Sequence, residues 1–155
     1  MNIDKYTLKA SENYVSFEFI SEGRKGKIQK KIIFSLIEEP NIWNLGFGDV
    51  DNLTGEIDDL AISDNGDSEK ILATVGQATI TFTKYHPNSL VFAEGSTPIR
   101  SRLYRIGISQ NFEIISETFL VWGLLDNEWQ PFEKNTNYQA FLVKRKIDIL
   151  DLQKL

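Results

Sequence analysis

The residues best suited to chemistry lie in one run, Gly95-Ser96-Thr97-Pro98-Ile99-Arg100-Ser101-Arg102-Leu103-Tyr104-Arg105. Their order predicts a strand end followed by a helix start. Gly95 is free to take a positive φ, Ser96 or Thr97 caps the helix, and Pro98 pre-sets the first helical φ. A helix start exposes backbone N–H groups and a partial positive charge, a combination that binds anions. Ser96, Thr97, Arg100, Arg102 and Arg105 are therefore the candidate ligand residues, and a phosphate is the group they suit. On a helix Arg102 and Arg105 share a face, while Arg100 lies about 200° round from Arg102. All three cannot meet one phosphate, but Arg102 and Arg105 can pair. The alternative is a helix cap with three solvated or salt-bridged arginines. Arg105 and Tyr104 also lie beside the predicted core stripe, where a long side chain packs its stem. The run lacks the Gly-Lys-Ser/Thr end of a nucleotide P-loop.

A second set of cations is spread along the chain. Arg24, Lys25, Lys27, Lys30 and Lys31 cluster at a predicted hairpin, and Lys144, Arg145 and Lys146 follow the last predicted strand. Beside them, Tyr14, Trp43, Trp129 and Tyr138 would stack bases if their rings lay on an open sheet face, as in single-strand nucleic-acid binders. The alternative places the aromatics in the core and leaves the lysines guarding strand edges against aggregation. The partners expected are thus nucleic acid or a phosphate-bearing small molecule.

Composition removes other chemistries. There is no cysteine, so disulfides, thiolate metal sites and cysteine nucleophiles are excluded, and His86 is the single histidine. Histidine-rich zinc sites and a Ser-His-Asp triad with a spare histidine go with it. Between residues 49 and 69 stand eight acids and no Lys or Arg. Those eight account for the whole acidity: with 17 bases against 22 acids the chain carries −5, and without them the rest carries +3. The acid spacing does not fit an EF-hand, because Leu53 takes the fifth position and no glycine follows it. No metal site and no cofactor are expected. No run approaches the ~20 apolar residues of a membrane helix, and Met1-Asn2-Ile3-Asp4-Lys5 does not begin a secretory signal. The expectation is a cytoplasmic protein without a membrane segment.

These residues need elements to position them. Apolar alternation predicts strands over 14–20, 27–37 and 43–49, then a short one within 56–62. Asp67 or Ser68 caps a helix whose stripe runs through Ile71, Leu72, Val75, Thr79 and Phe82, although Thr79-Ile80-Thr81-Phe82-Thr83 is strand-like in type. It ends by His86, before Pro87. A strand over 90–93 leads into the Thr97–Pro98 helix, whose stripe is read through Ile99, Leu103, Ile106, Ile108, Phe112, Ile115 and Phe119. Strands over 119–124, 128–132 and 138–144 close the chain, the first two joined by an Asp126-Asn127 turn. The layout is α+β: a mixed, mainly antiparallel sheet with two helices packed on one face. Residues 1–146 form one domain, and 147–155 are a tail or a short docking helix. Phe34, Leu36, Leu72, Val75, Leu103, Phe112 and Val121 are expected in one core.

The segment 95–105 resembles a family of small bacterial proteins of unknown function that share Gly-Ser-Thr-x-x-Arg-x-Arg-Leu-Tyr. Phe47-Gly48-Asp49, Asn65-Gly66-Asp67, Leu72-Ala73-Thr74-Val75, Trp122-Gly123 and Glu128-Trp129-Gln130-Pro131-Phe132 fit the same family. The resemblance spans roughly residues 10–146 and brings no activity with it. In element order alone the chain is similar to Whirly-type single-strand nucleic-acid-binding domains. The leading expectation is a non-enzymatic binding domain for a phosphate-containing ligand, with single-stranded nucleic acid as one form. The rivals are an enzyme acting on such a ligand through Arg102, Arg105 and an acid, and a protein-interaction module of a regulatory pair.

Overall fold

The computed structural model describes residues 4–58, 65–95 and 97–146. Among them nine strands and three helices follow one another. They are β1 (Lys9–Ala10), β2 (Ser16–Gly23), β3 (Gly26–Glu38), β4 (Ile42–Val50), β5 (Ile57–Asp58), α1 (Ser68–Tyr85) and β6 (Leu90–Ala93). Then come α2 (Pro98–Gln110), α3 (Phe112–Thr118), β7 (Phe119–Leu125), β8 (Glu128–Pro131) and β9 (Ala140–Arg145). The protein is α+β, as its pattern predicts. One sheet runs β1-β2-β3-β4-β6-β9-β7-β8, with β5 on β4. Among the described residues only β4 and β6 pair in parallel, and α1 lies in the connection between them, as a parallel crossover requires.

Side chains alternate across this sheet, so register decides which ones share a face. Phe17 stands opposite Ile32, which stands opposite Phe47. Phe34 faces Leu45, Leu45 lies beside Ala93, and Ala93 faces Phe141. All of these are buried, and the helices cover them. On α1, Ile71, Val75, Ala78 and Phe82 recur at helical spacing and point to the sheet. The Phe82 ring stacks on Phe34 with centroids 4.2 Å apart. The threonine-rich run stays helical because its hydroxyls are satisfied within the helix. Thr74, Thr79 and Thr83 each donate to the carbonyl four residues back, at 2.8–2.9 Å.

The structure corrects three expectations about these elements. The long second stripe is divided into α2 and α3 at Asn111, whose N–H and Nδ2 both donate to the Gly107 carbonyl and end the first helix. Beyond the break Phe112 packs on Phe132, and at the other end of the stripe Ile99, in the first turn of α2, is 64% exposed rather than core. Leu36 is 40% exposed rather than part of the core, because it lies on β3 beyond Phe34, where Phe82 of α1 meets the strand, next to a register shift. Phe34, Val75 and Val121 are buried, and Leu72 and Phe112 pack against them half-buried. Asp67 sits at the N-cap of α1 but makes no capping bond. Its carboxylate instead accepts the hydroxyls of Tyr6 and Ser21, each at 2.5 Å. The 147–155 tail, the far half of the 56–62 strand and Ser96 lie outside the described residues.

Candidate functional site

The turn before α2 has the local form that its sequence predicts, with one different reason. Thr97 is extended, and its Oγ1 accepts the Arg100 N–H at 3.3 Å, with Pro98 opening the helix. Gly95 does not use a positive φ. A Cβ there would come within 2.2 Å of the Ser101 nitrogen, so glycine is needed for the close approach of the strand end to the helix. Arg100 is turned inward: its guanidinium donates to the Phe47 carbonyl and lies over the Phe47 ring, 4.9 Å from the centroid. It ties α2 to β4 and does not join the other two arginines.

Arg102 and Arg105 do come together, as their spacing requires. They line a polar cavity of about 510 Å³ between α2 and the 133–137 loop, with Ser109 from the next helical turn and Asn135, Thr136 and Asn137 opposite. Among the described residues no carboxylate lines it. Among the described residues neither guanidinium is in an ion pair. The loop is held in place from behind. Tyr138 is buried, its hydroxyl accepts the Glu133 N–H and a Gln130 side-chain N–H at 2.9 Å each, and its ring lies flat on Gly123. A Cβ at position 123 would come within 2.3 Å of that ring. Asn135 takes a positive φ of 62°, a conformation that asparagine tolerates better than most residues. The sequence marks this loop as polar, but nothing local says that it faces α2.

The other predicted cations disperse. Lys30 is a correction: it shares the covered face with Phe19, its register partner, and is only 4% exposed. Its ammonium donates to Asp49 Oδ1 at 2.5 Å. Arg145 is the second correction. It donates to Thr83 Oγ1 at 3.1 Å and to the Ile80 carbonyl at 2.6 Å on α1, and lies over the Phe119 ring. Burial lowers its pKa from the ordinary arginine value. Lys146 donates to the Ser116 carbonyl on α3, and Lys27 pairs loosely with Glu22 at 3.8 Å. Lys25 is exposed at the hairpin turn, where its backbone N–H donates to the buried Asn65. By alternation Lys31 and Lys144 stand on the open face of the sheet.

The aromatics are sorted the same way. Tyr138 is core, Trp43 packs against Phe82 and His86, and Tyr14 stacks on Tyr85 at 3.7 Å. Of the four predicted, Trp129 is the one on the open face, 42% exposed and edge-on to Phe92. Trp122 joins this face through the register Phe92–Leu142–Trp122, a placement the sequence reading missed. The His86 ring stacks on Phe82, and its Nε2 bonds the Asn13 carbonyl. Among the described residues no three acids or histidines gather as a metal site, and no helix is long and apolar enough to cross a membrane.

A family model described only as a family of unknown function matches residues 2–146. No curated protein and no solved structure matches the chain.

Proposed function

The chain belongs to that family of unknown function, DUF6934, and we propose from its own residues that it is a non-enzymatic binding protein for a phosphate-bearing ligand. The observation that carries this is the Arg102/Arg105 cleft: two guanidinium groups on one helix face, hydroxyl and amide donors around them and, among the described residues, no carboxylate. Paired guanidinium groups suit phosphate because their planar forks meet two oxygens at once. A hydrolytic or transfer site needs a general base or nucleophile within hydrogen-bond reach of the bound group. Among the described residues the cleft lining offers no acid for that work, and His86 is engaged elsewhere.

The test is calorimetric titration of inorganic phosphate at low salt into the native chain and into Arg102→Ala with Arg105→Ala. Charge-assisted hydrogen bonds contribute about 1.5–3 kcal/mol each, so removing them should weaken binding tenfold or more. Phosphate binding that is absent, or that survives the double substitution, overturns the reading.

A second reading is favoured by the open sheet face. Trp129, Trp122 and Phe92 lie there with Lys31 and Lys144, which is the kind of platform on which single-strand bases stack. An oligo-dT titration separates the two: Trp129→Ala should then lower affinity by about 1–3 kcal/mol, with a steep salt dependence. Binding that ignores both Trp129 and salt sinks this version.

A further inference from the structure

We propose that the ligand is a phosphate monoester carrying a single aliphatic chain, with its head in the Arg102/Arg105 cleft and its chain in a second cavity beneath the helices. This rests on reading the cleft as an anion site. The second cavity encloses about 570 Å³ between α1, α2–α3 and the covered face of the sheet. Val91 and Phe141 form its floor, Leu72 and Ile80 one wall, and Leu103 and Ile108 the other. Its volume falls in the range of small-molecule sites, which are mostly apolar with few polar groups. An apolar cavity left empty forfeits dispersion contacts along its whole lining. Gly76, inside α1, lines the same space and leaves it without a side chain.

The two cavities adjoin. Ile106 and Gln110, on the edge of α2 between its core side and its arginine side, line both. A chain lying in the apolar cavity can therefore pass over that edge to the arginines. Charge fixes the direction. The charged residues lining the apolar cavity are Glu69 and Glu117, both exposed, and a phosphate emerging beside either would be repelled. The head is attracted only where the cavity meets the cleft.

The experiment titrates inorganic phosphate, butyl, hexyl and octyl phosphate, and octanol into the native full-length chain, Gly76→Leu and Arg102→Ala. In the native chain each added methylene should tighten binding about fourfold, until the cavity is filled. Octyl phosphate should thus bind at least about a hundredfold more tightly than inorganic phosphate. Gly76→Leu, which fills the cavity, should collapse the series toward the inorganic phosphate value. Arg102→Ala should bring octyl phosphate down toward octanol. The native chain-length series is decisive even where Gly76→Leu does not fold. A flat series with phosphate still bound overturns the amphiphile and leaves the anion cleft standing. A steep series in which octanol equals octyl phosphate and Arg102→Ala has no effect overturns both.

Discussion

Two groups of cations of the same sequence type meet opposite ends in this molecule. On the β3–β4 side Lys30 and Arg100 point inward, and the chain itself supplies their acceptors: Asp49 for the ammonium and the Phe47 carbonyl for the guanidinium. On the far side of α2, Arg102 and Arg105 line a cavity whose walls, among the described residues, offer hydroxyls and amides but no carboxylate. The first pair is structural because its donors are satisfied internally, one by a carboxylate and one by a backbone carbonyl. Among the described residues the second pair makes no ion pair and lines a cavity with no carboxylate in its walls. The contrast teaches that cations of one sequence type are tied down or left facing a cavity according to which acceptors the fold brings to them. The same rule holds for an acid: Asp67 stands at a helix start but serves Tyr6 and Ser21.

The sharpest way to break this contrast is Asp49→Ala, which takes the carboxylate away from a buried ammonium. Losing one partner of a buried pair costs about 3–5 kcal/mol, while replacing both with apolar residues is close to neutral. Denaturant unfolding should therefore show Asp49→Ala strongly destabilised and Lys30→Met with Asp49→Leu largely restored. An Asp49→Ala midpoint near that of the native chain would mean that Lys30 is not held by the pair.

Next in size is the Tyr6–Asp67 contact. Tyr6→Phe removes a hydrogen bond to a carboxylate and a backbone acceptor for Glu22, and should cost about 2 kcal/mol. Burial, and then the bond to Asp67, raise the Tyr6 pKa above its ordinary value. The neutral phenol is thus favoured in the folded state. Its contribution is fully present below about pH 10 and is lost as pH climbs through the raised value. Stability measured up that alkaline limb should fall in the native chain and fall less in Tyr6→Phe; parallel curves would refute the assignment.

The smallest effects compare the arginines directly. Arg100→Ala leaves the Phe47 carbonyl without its donor and should lower stability by about 1–2 kcal/mol. Arg102→Ala, at an exposed position, should stay within about 0.5 kcal/mol. Thermal unfolding of the two variants side by side gives the answer. Equal losses would show that the cleft arginine is structural too.

Much of the scaffold is legible in the residues. Alternation at Phe17 and Phe19 and at Leu45 and Phe47 marks β2 and β4, Thr97-Pro98 marks the start of α2, and Asp126-Asn127 supplies a two-residue turn with both φ values positive. Even the burial of Lys30 is implicit, since alternation places it on the face of Ile32 and Phe34. The pairing of Arg102 with Arg105 also follows from helical spacing alone. The division at Asn111 is harder to see, because the apolar stripe continues through it and only the bond back to Gly107 ends the helix.

By itself, then, the sequence determined the elements, their apolar faces and the adjacency of two arginines, because strand alternation, helical period and capping are set by neighbours within a few residues. Only the tertiary structure decided which cations stay available. Strand register brought Asp49 to Lys30 and Phe47 within reach of Arg100. The packing of Tyr138 on Gly123 held Asn135, Thr136 and Asn137 of the 133–137 loop opposite the α2 arginines. Those outcomes depend on groups distant in the chain meeting in space, and no local pattern encodes where an acceptor will be missing.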